Sequence, residues 1–171
     1  MNREQDIRGK AGTAAATLEQ AELDVAVSVE IEAESRRVLY ALTIPEYMEA
    51  WLQMPDTEKL KCSSDSRAAP NSFHIDLYSA KAPRARIKGS CLRLDPDRII
   101  YLWRNTCTGS TGETMVDIHL NSGPGQCTIN LNHRGFCNME ESLWHSRMWH
   151  RSLDKLGRLM TMMNASARIG I

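Results

Sequence analysis

His133 combines a chemically useful side chain with telling neighbours. Cys127, Ile129 and Leu131 precede it at every second position, so an imidazole shares one strand face with three mainly apolar side chains. If that face looks inward, His133 is either a polar anchor or general base for a molecule in the interior, or a structural histidine bonded to backbone at the Arg134-Gly135 turn. Tyr101 and Trp103 also share a parity, with Ile100 and Leu102 pointing the other way. Together with Phe73, Ile75, Leu77, Ile129 and Leu131 they form a candidate ligand pocket of aromatic and aliphatic walls with few polar groups, the usual character of a small-molecule site. Trp51, Trp149 and Leu153 are candidates to close it. For each residue taken singly, plain core packing is the competing explanation.

The other chemistry-bearing residues make weaker patterns. His145 and His150 are five apart and do not share a helical face, whereas Glu141 and His145, at i and i+4, do. Two groups do not complete a metal site, which needs three or four ligands, so a solvated helix face is expected and no metal or cofactor is assigned. Ser110 and Thr111 sit between Gly109 and Gly112 with no base assignable to either hydroxyl, as befits turn residues. Arg84, Arg86 and Lys88 alternate on one strand face, expected to be solvated. The sequence has no G-x-S-x-G, P-loop, G-x-G-x-x-G or H-E-x-x-H pattern, which removes the standard warrants for an enzyme.

Cys62, Cys91, Cys107, Cys127 and Cys137 are odd in number and show no C-x-x-C spacing, so free thiols are expected rather than disulfides or structural zinc. Met148, Met160, Met162 and Met163 fit core filler, an adaptable surface or a homodimer contact.

These residues need a scaffold, and the pattern supplies one. Val25, Val27, Val29 and Ile31 alternate with Ala26, Ser28 and Glu30, predicting a half-buried strand. Ser35 is a candidate N-cap for a short helix to Thr43 carrying Val38, Leu39 and Leu42. Pro45 fits the first turn of a second short helix through Tyr47, Met48, Trp51 and Leu52. Cys62 to Ser72 is polar and reads as a loop or weak edge strand. Strands then follow in succession: Phe73 to Tyr78, Arg84 to Leu94 with Gly89 marking a bulge or close approach, and Arg98 to Thr106 after an Asp95-Pro96-Asp97 turn. Two more carry Val116, Ile118 and Leu120, then Cys127 to His133, on either side of a Ser122–Gly125 hairpin loop. Short turns between consecutive strands imply an antiparallel meander. Trp149, Leu153, Leu156, Met160 and Met163 follow a +4, +3, +4, +3 rhythm, one apolar stripe on a helix capped by Asn138 and starting with Glu140 and Glu141. From Met139 to Met163 that helix would be roughly 37 Å long, enough to lie across a whole sheet.

The expected architecture is therefore α+β of the helix-grip type. A curved antiparallel sheet of about six strands wraps around a long C-terminal helix, with two short helices after the first strand. Residues 1–21 are polar and Ala-rich and read as a flexible arm, and residues 22–171 as a single domain. The 171 residues are 42% hydrophobic, with 21 basic against 21 acidic side chains. A neutral chain gives no footprint for a phosphate backbone, so nucleic acid is not an expected partner. No apolar run reaches the ~20 residues of a membrane span, and the charged start lacks an apolar signal core, so a cytoplasmic location is expected.

Four segments carry a resemblance to a known family: SRRVLYALTIPEYMEAW at Ser35–Trp51, GSCLRLDPDRIIYLW at Gly89–Trp103, the strand pair Thr114–Phe136 ending in Asn132-His133-Arg134-Gly135-Phe136, and the helix start Trp149–Leu156. In order and spacing they resemble the bacterial single-domain relatives of the activator of heat-shock protein 90 ATPase, within the START-like, pollen-allergen-like superfamily (SRPBCC). The match spans roughly Val25 to Met163. Met148 stands where the family has glycine before the helix tryptophan, and Asn132 where threonine is commoner. The resemblance implies a cavity between sheet and helix holding a small hydrophobic or amphipathic molecule without catalysis. It leaves open a cyclase-like or hydrolase-like enzyme in the same cavity, with His133 joined by His119 or Asp117, and a chaperone-related or stress-response interaction. START-like proteins often form homodimers. The eukaryotic activators' separate chaperone-binding domain has no counterpart here, so chaperone binding is not carried over.

Overall fold

Alternation of apolar and polar residues is what builds the sheet. The computed structural model describes residues 23–65, 70–80, 85–106 and 112–169. Seven strands occur there: β1 (Val25–Ile31), β2 (Lys59–Ser64), β3 (Phe73–Tyr78), β4 (Ala85–Leu94), β5 (Arg98–Asn105), β6 (Glu113–Gly123) and β7 (Gln126–Arg134). Helices α1 (Ser35–Thr43) and α2 (Pro45–Trp51) follow β1, and α3 (Met139–Ile169) ends the chain. The sheet order is β1-β7-β6-β5-β4-β3-β2, with every pair antiparallel. Strands β2 to β7 thus form one meander, and β1 closes beside β7, pairing Val25 with His133 and Ile31 with Cys127. The curled sheet holds α3 along its concave face, as the helix-grip reading expects.

One expectation is corrected and two open alternatives are decided. The strands number seven, the seventh being the weak-edge-strand alternative for the polar segment: β2, starting at Lys59. Its one buried side chain is Cys62, so the hydrophobic pattern barely registers; its pairing with β3 supplies the stabilisation. Ser35 is the first helical residue rather than the N-cap, which is Glu34 without a side-chain cap, and Ser35 Oγ instead accepts from Ser122 Oγ at 2.8 Å. The extra residue of the bulged strand lies between Cys91 and Arg93, while Gly89 is a place of close approach. The arm expected over residues 1–21 and most of the Gly109–Gly112 turn lie outside the described residues.

Helix α3 has 31 residues, roughly 46 Å at ~1.5 Å each. Asn138 caps it: Asn138 Oδ1 accepts from the Glu141 N–H at 2.9 Å. Asn138→Ala should lower stability by about 1 kcal/mol in urea unfolding, the usual worth of such a cap. Trp149, Leu153, Leu156 and Met160 bury the stripe against the sheet and short helices, whereas Met163 lies past it and is 54% exposed. No helix among the described residues is long and apolar enough to cross a membrane.

Candidate functional site

The concave face carries most of the candidate pocket residues, and the period-two pattern is the reason. On β3, β5 and β7 the odd-numbered side chains turn inward, so Phe73, Ile75, Leu77, Tyr101, Trp103, Ile129, Leu131 and His133 are all buried. Helix α3 brings Trp149 and Leu153 down onto them, buried as well. The rings meet edge to face: Phe73 with Tyr101 at 5.1 Å and with Trp103 at 5.8 Å, and Trp103 with His133 at 5.9 Å. The Trp103 and Trp149 rings meet at 5.4 Å with a tilt of 52°. Such pairs contribute about 0.5–1.5 kcal/mol each beyond their burial.

His133 is committed to this packing through both ring nitrogens. The Trp149 indole N–H can only donate, and it does so to His133 Nδ1 at 3.0 Å. A neutral ring then carries its proton on Nε2, which donates to Thr114 Oγ1 at 2.6 Å. The Thr114 hydroxyl in turn donates to the Trp103 carbonyl at 3.1 Å. The outcome is a directed chain, Trp149 to His133 to Thr114 to backbone, with each donor and acceptor used once. Burial holds the imidazole well below the ordinary histidine range, with the neighbouring His145 adding to the effect. Neither ring nitrogen is left to take a proton from a substrate.

His145 departs from its expected place on a solvated helix face. It is fully buried, its ring centroid 4.7 Å from that of His133 and 4.8 Å from that of Phe136. Its Nδ1–H donates to the Glu141 carbonyl at 2.9 Å, leaving Nε2 to accept from Asn105 Nδ2 at 3.3 Å. Burial lowers its pKa to about 4, against a smaller opposing effect of the Glu141 carbonyl. His150 stays exposed. Among the described residues, no group of three or more His, Cys, Asp and Glu side chains is placed to hold a metal ion.

The hydroxyl of Tyr101 and the indole N–H of Trp103 stand apart from this economy. Both are buried on the concave face, and neither has a hydrogen-bond partner among the described residues. Burial raises the phenol's pKa, so the hydroxyl remains a donor at neutral pH. Leaving such a group unmatched ordinarily costs about 1–3 kcal/mol.

Asp117 and His119 do not join His133. They project from the opposite, convex face of β6, where Arg98 grips Asp117 with two hydrogen bonds, Nε to Oδ1 at 3.0 Å and Nη2 to Oδ2 at 2.8 Å. His119 Nε2 lies 3.3 Å and Arg134 Nη2 3.6 Å from the same carboxylate. The Arg98 hydrogen bonds are the main reason the Asp117 pKa is lowered. The sheet itself separates these groups from the interior, so the acid–base set His133, His119 and Asp117 is not assembled. On the same convex face Arg86 pairs with Asp76 at 2.7 Å, and Lys88 with Asp65 at 3.2 Å.

Trp51 is buried in the same core. Its indole N–H donates to the Ala41 carbonyl at 2.8 Å, locking α2 onto α1. It also lines a groove between those helices and α3. The groove has a volume of about 180 Å³ and is walled by Tyr40, Tyr47, Trp51, Leu156 and Met160, with Arg37 at its rim. Sequence periodicity gave no sign of it, because it arises where three helices meet.

Cys62, Cys91, Cys127 and Cys137 are free. Burial raises the thiol pKa of Cys62, to about 12, and also those of Cys91 and Cys127, which makes these three poor nucleophiles.

Comparison with known proteins agrees with this architecture. The sequence model of the family described as activator of Hsp90 ATPase homolog 1-like protein matches residues 32–161. No curated protein matches the chain. Among solved structures, protein CV1439 from Chromobacterium violaceum superposes with a TM-score of 0.65 at 21% identity, covering 81% of this chain and 97% of that one. The AHSA1 (SPO3351) protein from Silicibacter pomeroyi gives 0.63 at 17% identity, covering 82% and 99%. CalU16 from Micromonospora echinospora gives 0.57 at 19% identity, covering 85% and 82%. At such identities the structures speak for the fold alone. With strand order, helix placement and a family match over most of its length in agreement, the chain belongs to the activator of Hsp90 ATPase homolog 1-like family.

Proposed function

We propose that this protein is a noncatalytic binder of a small, mainly apolar molecule held between the concave face of the sheet and α3. The observation that supports this best is the pair of unmatched donors, Tyr101 Oη and Trp103 Nε1, inside an otherwise aromatic and aliphatic interior. A guest with an apolar body and one or two acceptor oxygens would satisfy both donors while taking the place of ring-to-ring packing. Phe73, Trp149 and Leu153 would contact its body. His133 would act as a wall and not as an anchor, since its nitrogens are already engaged. The same engagement, and the position of Asp117 and His119 beyond the sheet, weigh against hydrolase-like or cyclase-like chemistry that relies on these three residues.

The test is a thermal-shift screen of one- to three-ring compounds bearing a carbonyl or ether oxygen, followed by titration of any binder. A ligand at 100 times its Kd stabilises the fold by about 2.7 kcal/mol, roughly 5–10 °C in Tm for a domain of this size. Tyr101→Phe keeps the ring and removes the donor. It should weaken binding by about three- to tenfold, the worth of one hydrogen bond. Binding should also move the Trp103 indole N–H resonance. If no compound raises Tm with concentration, the interior is an ordinary core and the proposal is lost.

A further inference from the structure

Three of the eight large apolar side chains exposed among the described residues meet at the helical groove. Tyr40, Tyr47 and Met163 are 42%, 55% and 54% exposed, and all three line it. Its floor is buried Trp51, Ala41, Leu156 and Met160. Exposed apolar surface concentrated in one concave place marks a binding site more often than scattered residues do. The groove's volume of about 180 Å³ compares with the ~150 Å³ that a benzene ring occupies in an engineered apolar cavity. One aromatic ring with a short substituent is therefore the right size of guest.

Two arginines give the groove a direction. Arg36 Nε donates to Tyr40 Oη at 3.0 Å, and its guanidinium lies 5.5 Å from the centre of that ring, which steadies the Tyr40 wall. Arg37 also lines the groove, and its guanidinium donates to the neutral amide oxygen of Asn164. No carboxylate among the described residues is paired with it. A guanidinium presents five donors in a fixed fork suited to a carboxylate, so an unmatched one beside an aromatic slot favours an anionic guest over a neutral one. The sheet contributes nothing to this lining, and the groove is separate from the interior discussed above.

We propose that the groove formed by α1, α2 and α3 is a second site, which takes a single-ring aromatic carboxylate with its ring between Tyr40, Tyr47 and Trp51 and its carboxylate on Arg37. The site is independent of any guest in the sheet interior.

The experiment uses the full chain and two probes of equal shape, 3-phenylpropionate and 3-phenylpropanol, titrated at low salt and followed by the Trp51 indole N–H and the Met160 and Met163 methyl resonances. The acid should move these signals in the millimolar range or below and bind about tenfold more tightly than the alcohol. Arg37→Gln, at a half-exposed position, should bring the acid down to the affinity of the alcohol while leaving the alcohol unchanged. Ala50→Trp, at an exposed groove position on α2, should block both probes without changing the fold. The proposal is overturned if acid and alcohol bind equally to the natural protein, if Arg37→Gln preserves the preference, or if neither probe moves the groove signals. Shifts confined to Trp103 would place the probes in the interior and overturn it too, whereas silence at Trp103 together with groove shifts would leave the interior proposal to its own screen.

Discussion

Replacing Gly89 with alanine is expected to destabilise the fold by about 2–3 kcal/mol, near the upper end of the range for overpacked cores. A Cβ built at Gly89 would lie 2.3 Å from Phe73 Cζ and under 3.0 Å from two other atoms of the same ring. Gly89 is the register partner of Phe73 across β3 and β4, so the ring lies directly over the glycine. That ring cannot swing away, because it is fully buried and packed edge-on against Tyr101 and Trp103. Urea unfolding should show the loss, and Tm should drop by roughly 5–10 °C at ~2–4 °C per kcal/mol. Phe73→Leu vacates part of the contested space. In the double variant the two losses should therefore add to less than their sum, with a coupling of at least about 1 kcal/mol. Strict additivity would show that the glycine is not required by the ring.

Mild acid should be the second large effect. His145 has a folded pKa of about 4 and His133 one well below the ordinary value of 6.5. Above pH 6.5 both rings are neutral in either state and contribute no pH dependence. As pH falls below 6.5 the unfolded chain takes up two protons that the folded chain refuses, so stability declines toward the folded pKa values. His145 alone should remove roughly 2–3 kcal/mol between pH 7.5 and 4.5, at ~1.4 kcal/mol per unit of pKa difference. Asp117 acts in a separate window. Its lowered pKa gives stability that is present above the ordinary carboxylate range and is lost only as pH falls below it. Urea midpoints measured from pH 7.5 to 4.5 should thus follow the histidines. His145→Gln should flatten the slope over that interval even if it lowers stability at pH 7.5. An unchanged slope in that variant would mean that His145 is not buried neutral.

How much of this could be read from the chain depends on where each signal resides. Trp149, Leu153 and Leu156 report a helix face because the period is local, and Ile129, Leu131 and His133 report a strand face for the same reason. Strand succession then implies the meander, and most of the candidate interior residues do share the concave face. What escaped depends on contacts between distant segments. His145 looks exposed among its helix neighbours Arg147 and Arg151, yet Asn105 and Phe136 enclose it from β5 and the turn before α3. Strand β2 has polar residues at most positions and is held by β3 and by Glu49 of α2, whose carboxylate accepts the Cys62 N–H at 2.6 Å. Asp117 obeys the outward parity of its strand and is nonetheless 5% exposed, because Arg98, His119 and Arg134 close over it. Trp51 belongs to a three-helix junction that no single helical period describes.

The pairing of β1 with β7 has a consequence for how the molecule is made. Val25 to Ile31 must wait for Gln126 to Arg134 before their backbone groups find a partner strand. On a ribosome adding ~5–20 residues per second, the intervening hundred or so residues take about 5–20 s. Throughout that interval the first strand and the apolar faces of α1 and α2 have neither β7 nor α3 to cover them. Closing so long a loop costs entropy before the β1–β7 pairing can offset it, which slows folding relative to a fold of local contacts. The nascent chain therefore passes through a prolonged stage as an incomplete, uncapped meander, and the last quarter or so of the chain both completes the sheet and ends its exposure.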